Sequence, residues 1–349
     1  MLLRLTVTIC VANSQLLQLS NSINDNKMDS TLTSPTGADL WVPSPVSKSK
    51  KQGIIQEIKD IYNYHQRSTR AIAKHDYCNV YKKAIQHLAD FGLQSVKGKQ
   101  VLDLGCGCRF PFSLLAASEG AEITALDISH VKPQALPVYF WKIFRANGVK
   151  RAVKSVARRL LFDKLYLKQM NESAGIDLSP FIKRINFVLA DASAADYPLP
   201  SGKFDLIASN AVLEHVDDVK KYFAEVGRLL KKGGLCYGLI HNYYSISGGH
   251  NLECAYPDTN PSSRVAPWDH LRSNQFPTHI YLNKLKPEDY KAAAAASLEI
   301  LLFEGRDINH NAGGLEGERC LTPSVQAELS QYPKEILLTR SYCIICKKP

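Results

Sequence analysis

The stretch VLDLGCG, residues Val101–Gly107, decides the fold of this chain. Its apolar residues around a single Asp predict a short buried strand, and Gly105 and Gly107 predict a tight turn after it. Pro111 and the apolar residues that follow predict a helix, because proline suits the first helical position. A strand, a glycine turn and a helix form the unit that holds a nucleoside-bearing cofactor at the carboxyl end of a parallel sheet.

Three later segments follow the same plan, since each is an apolar run that ends in a polar residue. They are ITALD at Ile123–Asp127, INFVLAD at Ile185–Asp191 and FDLIASN at Phe204–Asn210. A carboxylate about twenty residues after a glycine turn is placed to accept hydrogen bonds from two ribose hydroxyls. We therefore expect Asp127 to bind a ribose at the end of the second strand.

Together with NAVLEHV at 210–216, these motifs resemble a class I S-adenosylmethionine-dependent methyltransferase over residues 80–245. The resemblance implies an α/β fold with a Rossmann-like, seven-stranded, mostly parallel sheet whose last strand is antiparallel. It also implies S-adenosyl-L-methionine as the cofactor, with Asp191 accepting from the adenine amino group. The residues that it places at the cofactor are Asp103, Gly105, Cys106, Gly107, Asp127, Ile128, Asp191, Ala192 and Asn210.

The glycine turn departs from the family pattern at one place, where Cys108 and Arg109 stand instead of a small residue and a third glycine. Arg109 either contacts the carboxylate of the cofactor or points outward, and we favour the outward position. Two other functions stay open. A non-catalytic module would keep the fold for binding a partner, and a nicotinamide-dependent oxidoreductase would share the strand, turn and helix but leave Asp191 unexplained.

The composition bounds the class of protein. A chain of 349 residues can hold one large α/β domain with appended pieces. The net charge of +10 suggests an acidic partner but is also compatible with a solvated basic surface. Nine cysteines do not make a disulfide scaffold at this length, which predicts a reducing, cytoplasmic setting. The sequence indicates no oligomeric state.

The chain before the first strand divides into two predicted parts. Residues 1–48 predict a disordered segment, because a polar tract follows a short apolar run. That run is too short to span a bilayer, and a targeting segment at 1–27 is the alternative. Residues 49–96 predict a helical cap, and the methyltransferase domain is expected to occupy 97–349.

A long helical insertion is predicted after the second strand, at 130–183. Val149, Val153, Val156 and Leu160 recur there at helical spacing, with basic residues off that stripe. Three interpretations stay open: a lid, which we favour, contact with a membrane through 139–168, or a grip on an acidic substrate. Nucleic acid is an unfavoured partner, because no recognition module is present.

A polar loop region, 241–293, follows the fifth strand and is expected to bind the acceptor substrate. His241, His250 and His270 lie in it and are candidate bases, because imidazole titrates near neutrality. They favour O-methylation of a small-molecule, sugar or lipid-linked acceptor. Each of them singly is also compatible with a loop histidine that only makes hydrogen bonds.

Two residue pairs look chemical but are interpreted as structural. Glu214 and His215 follow the fourth strand, where the resemblance implies that the histidine packs near the cofactor and orients the loop. Cys343 and Cys346 have the spacing of a metal motif but lie in and directly after the last predicted strand, 336–345, without a second pair. We therefore predict no metal site.

Overall fold

A computed structural model of the chain describes residues 68–129, 134–192, 196–278 and 280–349. The predicted disordered segment and the first part of the predicted cap, 49–67, lie outside these ranges. The chain divides into two compact units. Of the described residues, the first unit contains 68–79 and 134–177, and the second unit, which contains the sheet, contains those from 80 to 129 and from 178 to 349.

Seven strands form one sheet in the second unit. They are β1 (Gln100–Leu104), β2 (Glu122–Asp127), β3 (Asn186–Leu189), β4 (Phe204–Asn210), β5 (Leu230–His241), β6 (Glu299–Arg306) and β7 (Ser341–Lys347). Their order across the sheet is β3-β2-β1-β4-β5-β7-β6. Neighbours from β3 to β5 pair in parallel, and β7 pairs antiparallel with both β5 and β6. The predicted mostly parallel sheet with an antiparallel last strand is confirmed.

Helices connect the strands and also build the first unit. Those with both ends described are α1 (Lys83–Asp90), α2 (Pro111–Ser118), α3 (Leu136–Arg158), α4 (Lys164–Ala174), α5 (Val219–Leu229), α6 (Pro287–Ala295), α7 (Pro323–Glu328) and α8 (Lys334–Leu338). Residues 68–75 are helical and continue into α1 through a π-helical segment, Asp76–Lys82. Pro111 stands in the first turn of α2, as its fixed φ predicts.

The main core lies between the sheet and the helices α5 and α6. Leu102 and Ile207 contribute from β1 and β4, Phe223 contributes from α5, and Ala294 contributes from α6. Central parallel strands are buried on both faces, which is why their sequences read as nearly continuous apolar runs. This core fixes the ends of β1, β4 and β5 beside one another.

The predicted apolar stripe of the insertion is wrong at two positions. Val149 and Leu160 are 58% and 55% exposed, whereas Ala152 is buried with Tyr139 in a small cluster of the first unit. Gly148 has a φ of 79° and a ψ of 170°, which breaks the helical phase inside α3. The predicted stripe begins directly after this break, and its last residue, Leu160, lies in a π-helical segment, Arg159–Asp163, in which the spacing of an α-helix no longer holds.

No helix in the described ranges is both long enough and apolar enough to cross a membrane. Membrane contact through 139–168 stays a prediction, as do the lid and the acidic partner.

The prediction for the last strand is wrong at its beginning. Residues 336–338 belong to α8, and the strand itself is Ser341–Lys347. Pro333 occupies the N-cap position of α8, and Leu337 and Leu338 bury their side chains beside Trp268 in a second apolar cluster. An apolar run this short is compatible with a buried helix as well as with a strand, so the sequence pattern alone does not distinguish the two.

Candidate functional site

The glycine turn after β1 is held against the end of β2. The amides of Gly105 and Cys106 donate to the carbonyl oxygen of Leu126 at 2.8 and 3.1 Å. Gly105 and Gly107 have φ angles of +79° and +69°, a region in which side chains are strained. A Cβ built at Gly107 meets nothing within 4 Å, so open space lies beside that backbone.

Asp127, the last residue of β2, is bonded to the same turn. Its Oδ2 accepts from the amide of Gly107 at 2.9 Å, and its Oδ1 accepts from the amide of Ser129 at 2.8 Å. A carboxylate has about four lone-pair sites, so further acceptor capacity remains on both oxygens. The carboxylate is therefore fixed by backbone amides and can still receive two hydroxyls.

Asp103 joins the turn to the helix behind it. Its Oδ2 accepts from the amide and the hydroxyl of Ser113 at 3.1 and 2.6 Å, and the side chain is buried. Burial raises the pKa of Asp103 from its ordinary value of 3.8 to about 6, although the bonds from Ser113 oppose that rise. In this structure its carboxylate orients the first turn of α2.

The other predicted cofactor residues lie at or near the ends of the same strands. The Cys106 thiol is buried, which raises its pKa, whereas Ile128 is 64% exposed. Asp191 is half-buried after β3, and the carbonyl oxygen of Ala192 accepts from the hydroxyl of Tyr197 at 2.6 Å. Asn210 ends β4, and its buried Oδ1 has no hydrogen-bond partner among the described residues.

These features fit an adenosyl cofactor. Backbone that a ligand can approach lies at Gly107, an oriented carboxylate lies at Asp127, and an unsatisfied acceptor lies at Asn210. Ligands of open α/β sheets bind beyond the carboxyl ends of the strands. Gly107 lies just after β1, and Asp127 and Asn210 are the last residues of β2 and β4. The contribution of each residue to cofactor binding stays a prediction.

The segment after β4 packs directly on the glycine turn. A Cβ built at Gly105 would lie 2.3 Å from Cγ2 of Val212, so only glycine allows this approach. Ala211 has a φ of 52°, and its amide donates to the carbonyl oxygen of Leu239 on β5 at 2.8 Å. The backbone thus turns between the glycine turn on one side and β5 on the other.

Glu214 follows in a 3-10 turn, Leu213–His215, and is buried. Neither of its carboxylate oxygens has a hydrogen-bond partner among the residues that the structure describes. Burial raises the pKa of Glu214 to about 8, and the nearby backbone amides of Glu214 and His241 offset part of that rise. Burying a carboxylate without hydrogen-bond partners lowers the stability of the folded state, so an unsatisfied Glu214 indicates a ligand or a functional role at this position.

Asn283 clamps the turn that carries Glu214. Its side-chain amide nitrogen donates to the carbonyl oxygens of Leu213 and Val216 at 2.7 and 2.9 Å. Its backbone amide donates to the carbonyl oxygen of Glu214 at 2.9 Å, and its Oδ1 accepts from the hydroxyl of Tyr290 at 2.8 Å. The position of the Glu214 backbone is thus set by a single asparagine of the acceptor-loop region.

Two of the predicted bases meet Glu214. His241 ends β5 and His250 lies nine residues later, and their ring centroids are 4.7 Å apart. One ligand atom from each of Glu214, His241 and His250 lies within 4.8 Å of the other two. The ring of His215 lies 5.1 Å from that of His250. We call Glu214, His241 and His250 the Glu–His–His cluster.

The imidazoles of the cluster are uncharged at neutral pH. Burial lowers the pKa of His250 to about 4 and the pKa of His241 well below its ordinary value of 6.5. Neighbouring positive groups, including Arg340, act in the same direction. His241 Nε2 lies 3.0 Å from the hydroxyl oxygen of Ser247, which fixes the orientation of that ring.

His270, the third predicted base, is not part of the cluster. Its Nε2 donates to the carbonyl oxygen of Tyr243 at 2.8 Å, because a carbonyl can only accept. A Cβ at Gly249 would lie 2.6 Å from Cβ of His270, so the ring packs closely on that loop. Burial lowers the pKa of His270 to about 4. These contacts fit a histidine that holds the loop.

The sequence missed the Glu–His–His cluster. The sequence alone indicates a structural role for Glu214 and His215 and does not predict a metal site. Twenty-six residues separate Glu214 from His241, and only the pairing of β4 with β5 brings them together. Because neighbouring parallel strands end at the same edge of a sheet, the residues that follow β4 and β5 lie close together. The predicted pairing of these two strands is the signal from which the cluster could have been found.

Comparison with known proteins identifies the family to which the chain is related. The family model described as "Methyltransferase domain" matches residues 73–296. No curated protein matches the chain. Among solved structures, it is similar to an S-adenosylmethionine dependent methyltransferase from Mesorhizobium loti at 17% identity, over 76% of this chain and 98% of that chain, with a TM-score of 0.40. It is also similar to geranyl diphosphate C-methyltransferase from Streptomyces coelicolor A3(2) at 14% identity, over 76% of each chain, with a TM-score of 0.39.

Proposed function

The chain belongs to the methyltransferase-domain family as a class I S-adenosylmethionine-dependent enzyme, and we propose that it methylates a hydroxyl oxygen. The acceptor class is a small molecule, a sugar or a lipid-linked molecule. The observation that carries the proposal is the Glu–His–His cluster, which collects one carboxylate and two imidazoles at the edge of the sheet that holds the glycine turn.

The cofactor would be held by the ends of β1, β2 and β4. We assign the ribose hydroxyls to Asp127 and the adenine amino group to Asp191, while the backbone at Gly105 and Gly107 allows close approach. When bound, S-adenosylmethionine supplies a methyl carbon on a positively charged sulfur, which keeps the electron pair of the broken carbon–sulfur bond. No nucleophilic side chain is needed, because the acceptor attacks the methyl carbon itself.

The residues of the chain have to position the acceptor and ease the loss of its proton. Orientation of two reactants supplies on the order of 7–11 kcal/mol in favourable cases, so a rigid acceptor site matters most. A hydroxyl is a weak nucleophile until its proton leaves, and assistance to that step contributes about a hundredfold or more. The cluster offers oxygen and nitrogen atoms for this purpose, whereas a neutral amine acceptor would not need them.

The contact between Gly105 and Val212 supports one continuous site. Val212 stands two residues before Glu214 and touches the glycine turn, so the cluster begins close to the predicted cofactor position. His215 donates from one ring nitrogen to the carbonyl oxygen of Tyr281, which is 2.8 Å from Nδ1. This bond ties the same turn to the acceptor-loop region 241–293.

The experiment uses a donor whose methyl group carries ¹³C. The purified full chain is incubated with this donor and fractions of a cell extract, and the labelled product is examined by NMR. We expect the labelled methyl carbon on an oxygen, in a product that the Asp127→Ala variant forms more slowly at a limiting donor concentration. A label on nitrogen or carbon would reject the proposed acceptor atom and leave the enzyme class intact.

A further inference from the structure

We propose that Glu214, His241 and His250 bind one divalent transition-metal ion of the Zn²⁺ type. The three residues come from the turn after β4, the end of β5 and the loop that follows it. Each offers one ligand atom, and these atoms lie within 4.8 Å of one another. All three residues lie in the second unit, and they differ from the residues predicted to bind the ribose and the adenine.

The carboxylate gives the strongest argument. Glu214 is buried, and both of its oxygens are without a hydrogen-bond partner in the described part of the chain. A buried carboxylate is stabilised by a partner charge, a metal ion or several donors. The rings of His241 and His250 beside it carry no fixed charge, and Nε2 of His215 lies 3.9 Å from Oε1, too far for a hydrogen bond. A divalent ion between these three groups would satisfy the oxygen lone pairs and the charge together.

The donor set selects the class of ion. Two imidazoles with one carboxylate suit Zn²⁺ and neighbouring transition metals, whereas Mg²⁺ and Ca²⁺ prefer oxygen ligands throughout. Three protein ligands leave at least one coordination position open, which is the pattern of catalytic rather than structural zinc sites. Bonds of about 2.0–2.1 Å would bring the ligand atoms to about 3.3 Å from one another, so the side chains close slightly on binding.

Groups around the cluster are placed as outer partners of metal ligands usually are. A ligating imidazole commonly donates its other N–H to an oxygen, and Ser247 Oγ lies 3.0 Å from Nε2 of His241. Asn283 holds the backbone of Glu214 through the hydrogen bond from its amide to the Glu214 carbonyl oxygen. Two of the three ligands are thus oriented before an ion arrives.

The role of the ion rests on the proposed O-methylation. A hydroxyl bound at the open position would lose its proton more readily, since a divalent ion stabilises the resulting oxyanion. The proton passes to solvent, and the oxyanion remains at the ion until it forms the bond to the methyl carbon. In that arrangement His241 and His250 act as metal ligands and not as the general bases that the sequence predicts.

Zn²⁺ binding to the full-length, metal-stripped protein tests the site. Calorimetric titration with a zinc salt alone should give one ion per chain, with tighter binding than a parallel titration with Mg²⁺. Removing an outer partner of a metal ligand commonly costs about 10- to 100-fold in affinity, so Glu214→Gln and His250→Ala should each cost at least about tenfold. X-ray absorption of the zinc complex should show a mixed nitrogen and oxygen environment.

A second buried glutamate provides a matched control. Glu225 is also buried, and its Oε2 accepts from Nε of Arg228 at 2.7 Å, outside the cluster. Glu225→Gln makes the same chemical change at a buried position and should leave Zn²⁺ affinity unchanged. Circular dichroism and binding of S-adenosylhomocysteine show whether each variant is folded.

The outcomes separate the metal site from the proposed function. Failure of the wild-type protein to bind Zn²⁺, or equal affinity in wild type, Glu214→Gln and His250→Ala, overturns the site. Rapid O-methylation by the metal-stripped enzyme overturns the role of the ion while the proposed function stands. Zn²⁺ binding with the expected variant pattern, together with a methyl group found on nitrogen, supports the site and rejects the proposed function.

Discussion

The amide of Gly107 donates to Oδ2 of Asp127 at 2.9 Å, which joins the turn after β1 to the end of β2. The bond orients the carboxylate without consuming its acceptor capacity. Because β1 and β2 are paired in parallel, the two residues also lie at the edge where open α/β sheets bind ligands. One carboxylate therefore serves both the loop geometry and the predicted ribose contact.

Replacing Asp127 by Ala should weaken cofactor binding. Hydrogen bonds to a charged group contribute about 1.5–3 kcal/mol each, so we expect S-adenosylhomocysteine affinity to fall at least about tenfold. Calorimetry measures the change. Glu122→Gln, an exposed glutamate at the opposite end of β2, is the control and should keep wild-type affinity. Unchanged affinity in Asp127→Ala would remove the ribose assignment.

Replacing Gly105 by Ala should be more damaging than replacing Gly107. Both positions have a positive φ, which costs about 1–2 kcal/mol for a side chain. Only Gly105 has a close neighbour, since a Cβ there would lie 2.3 Å from Val212 Cγ2, and overpacking adds about 1–3 kcal/mol. Chemical denaturation of Gly105→Ala and Gly107→Ala measures the difference.

Val212→Ala provides the cross-check for that clash. The double variant Gly105→Ala with Val212→Ala should regain part of the lost stability, because the two methyl groups that a new Cβ would meet are gone. A strictly additive double variant would show that Val212 is not the obstacle.

The pKa of Asp103 predicts a pH-dependent stability. Its pKa is about 6 when folded against an ordinary value of 3.8, so the folded state holds the proton more tightly. The resulting stabilisation is complete below pH 3.8 and is lost as the pH rises through about 6, a change of about 3 kcal/mol. Asp103→Asn removes this titration. The difference in unfolding free energy between wild type and variant should therefore change over that window, and a constant difference would contradict the assignment.

Replacing Asn283 by Ala should loosen the turn that carries Glu214. The variant loses the side-chain bonds to Leu213, Val216 and Tyr290, which together contribute about 2–4 kcal/mol. We expect lower unfolding stability and slower methyl transfer, with S-adenosylhomocysteine affinity close to wild type. Asn171→Ala, which removes an exposed hydrogen bond in the first unit, should change stability by less than about 0.5 kcal/mol. Equal effects of the two variants would deny Asn283 its positioning role.

The sheet could be predicted from the sequence because its signals are local. The run Val101–Leu104 before Gly105 marks a buried strand and a turn, and Asp127 ends a second run at the expected distance. Two elements were not predictable in this way. The stripe predicted at 149–160 begins directly after the break in α3 at Gly148, and its last residue, Leu160, lies in the π-helical segment Arg159–Asp163. Residues 336–338 form a helix because their short apolar run packs beside Trp268. In both cases the structure was determined by tertiary contacts or by the local backbone conformation, and the spacing of apolar residues does not show either of these.

The sequence predicts the cofactor part of the site but not the cluster, because only the cofactor part is formed by residues close together in the chain. The glycine turn and Asp127 lie in motifs that are read along the chain, whereas the Glu–His–His cluster exists only after folding. His270 looked equivalent to His241 and His250 in the sequence, but its bond to Tyr243 holds it in the loop. The third residue of the cluster, Glu214, lies in the turn after β4, whereas His241 and His250 lie at and after the end of β5.

The most direct test of the account is a crystal structure of the chain with S-adenosylhomocysteine. The account predicts that the ribose hydroxyls bond to Asp127 and that the sulfur faces the Glu–His–His cluster. A sulfur atom directed away from Glu214, or a ribose bound without Asp127, would contradict the central claim that the glycine turn and the cluster form one active site.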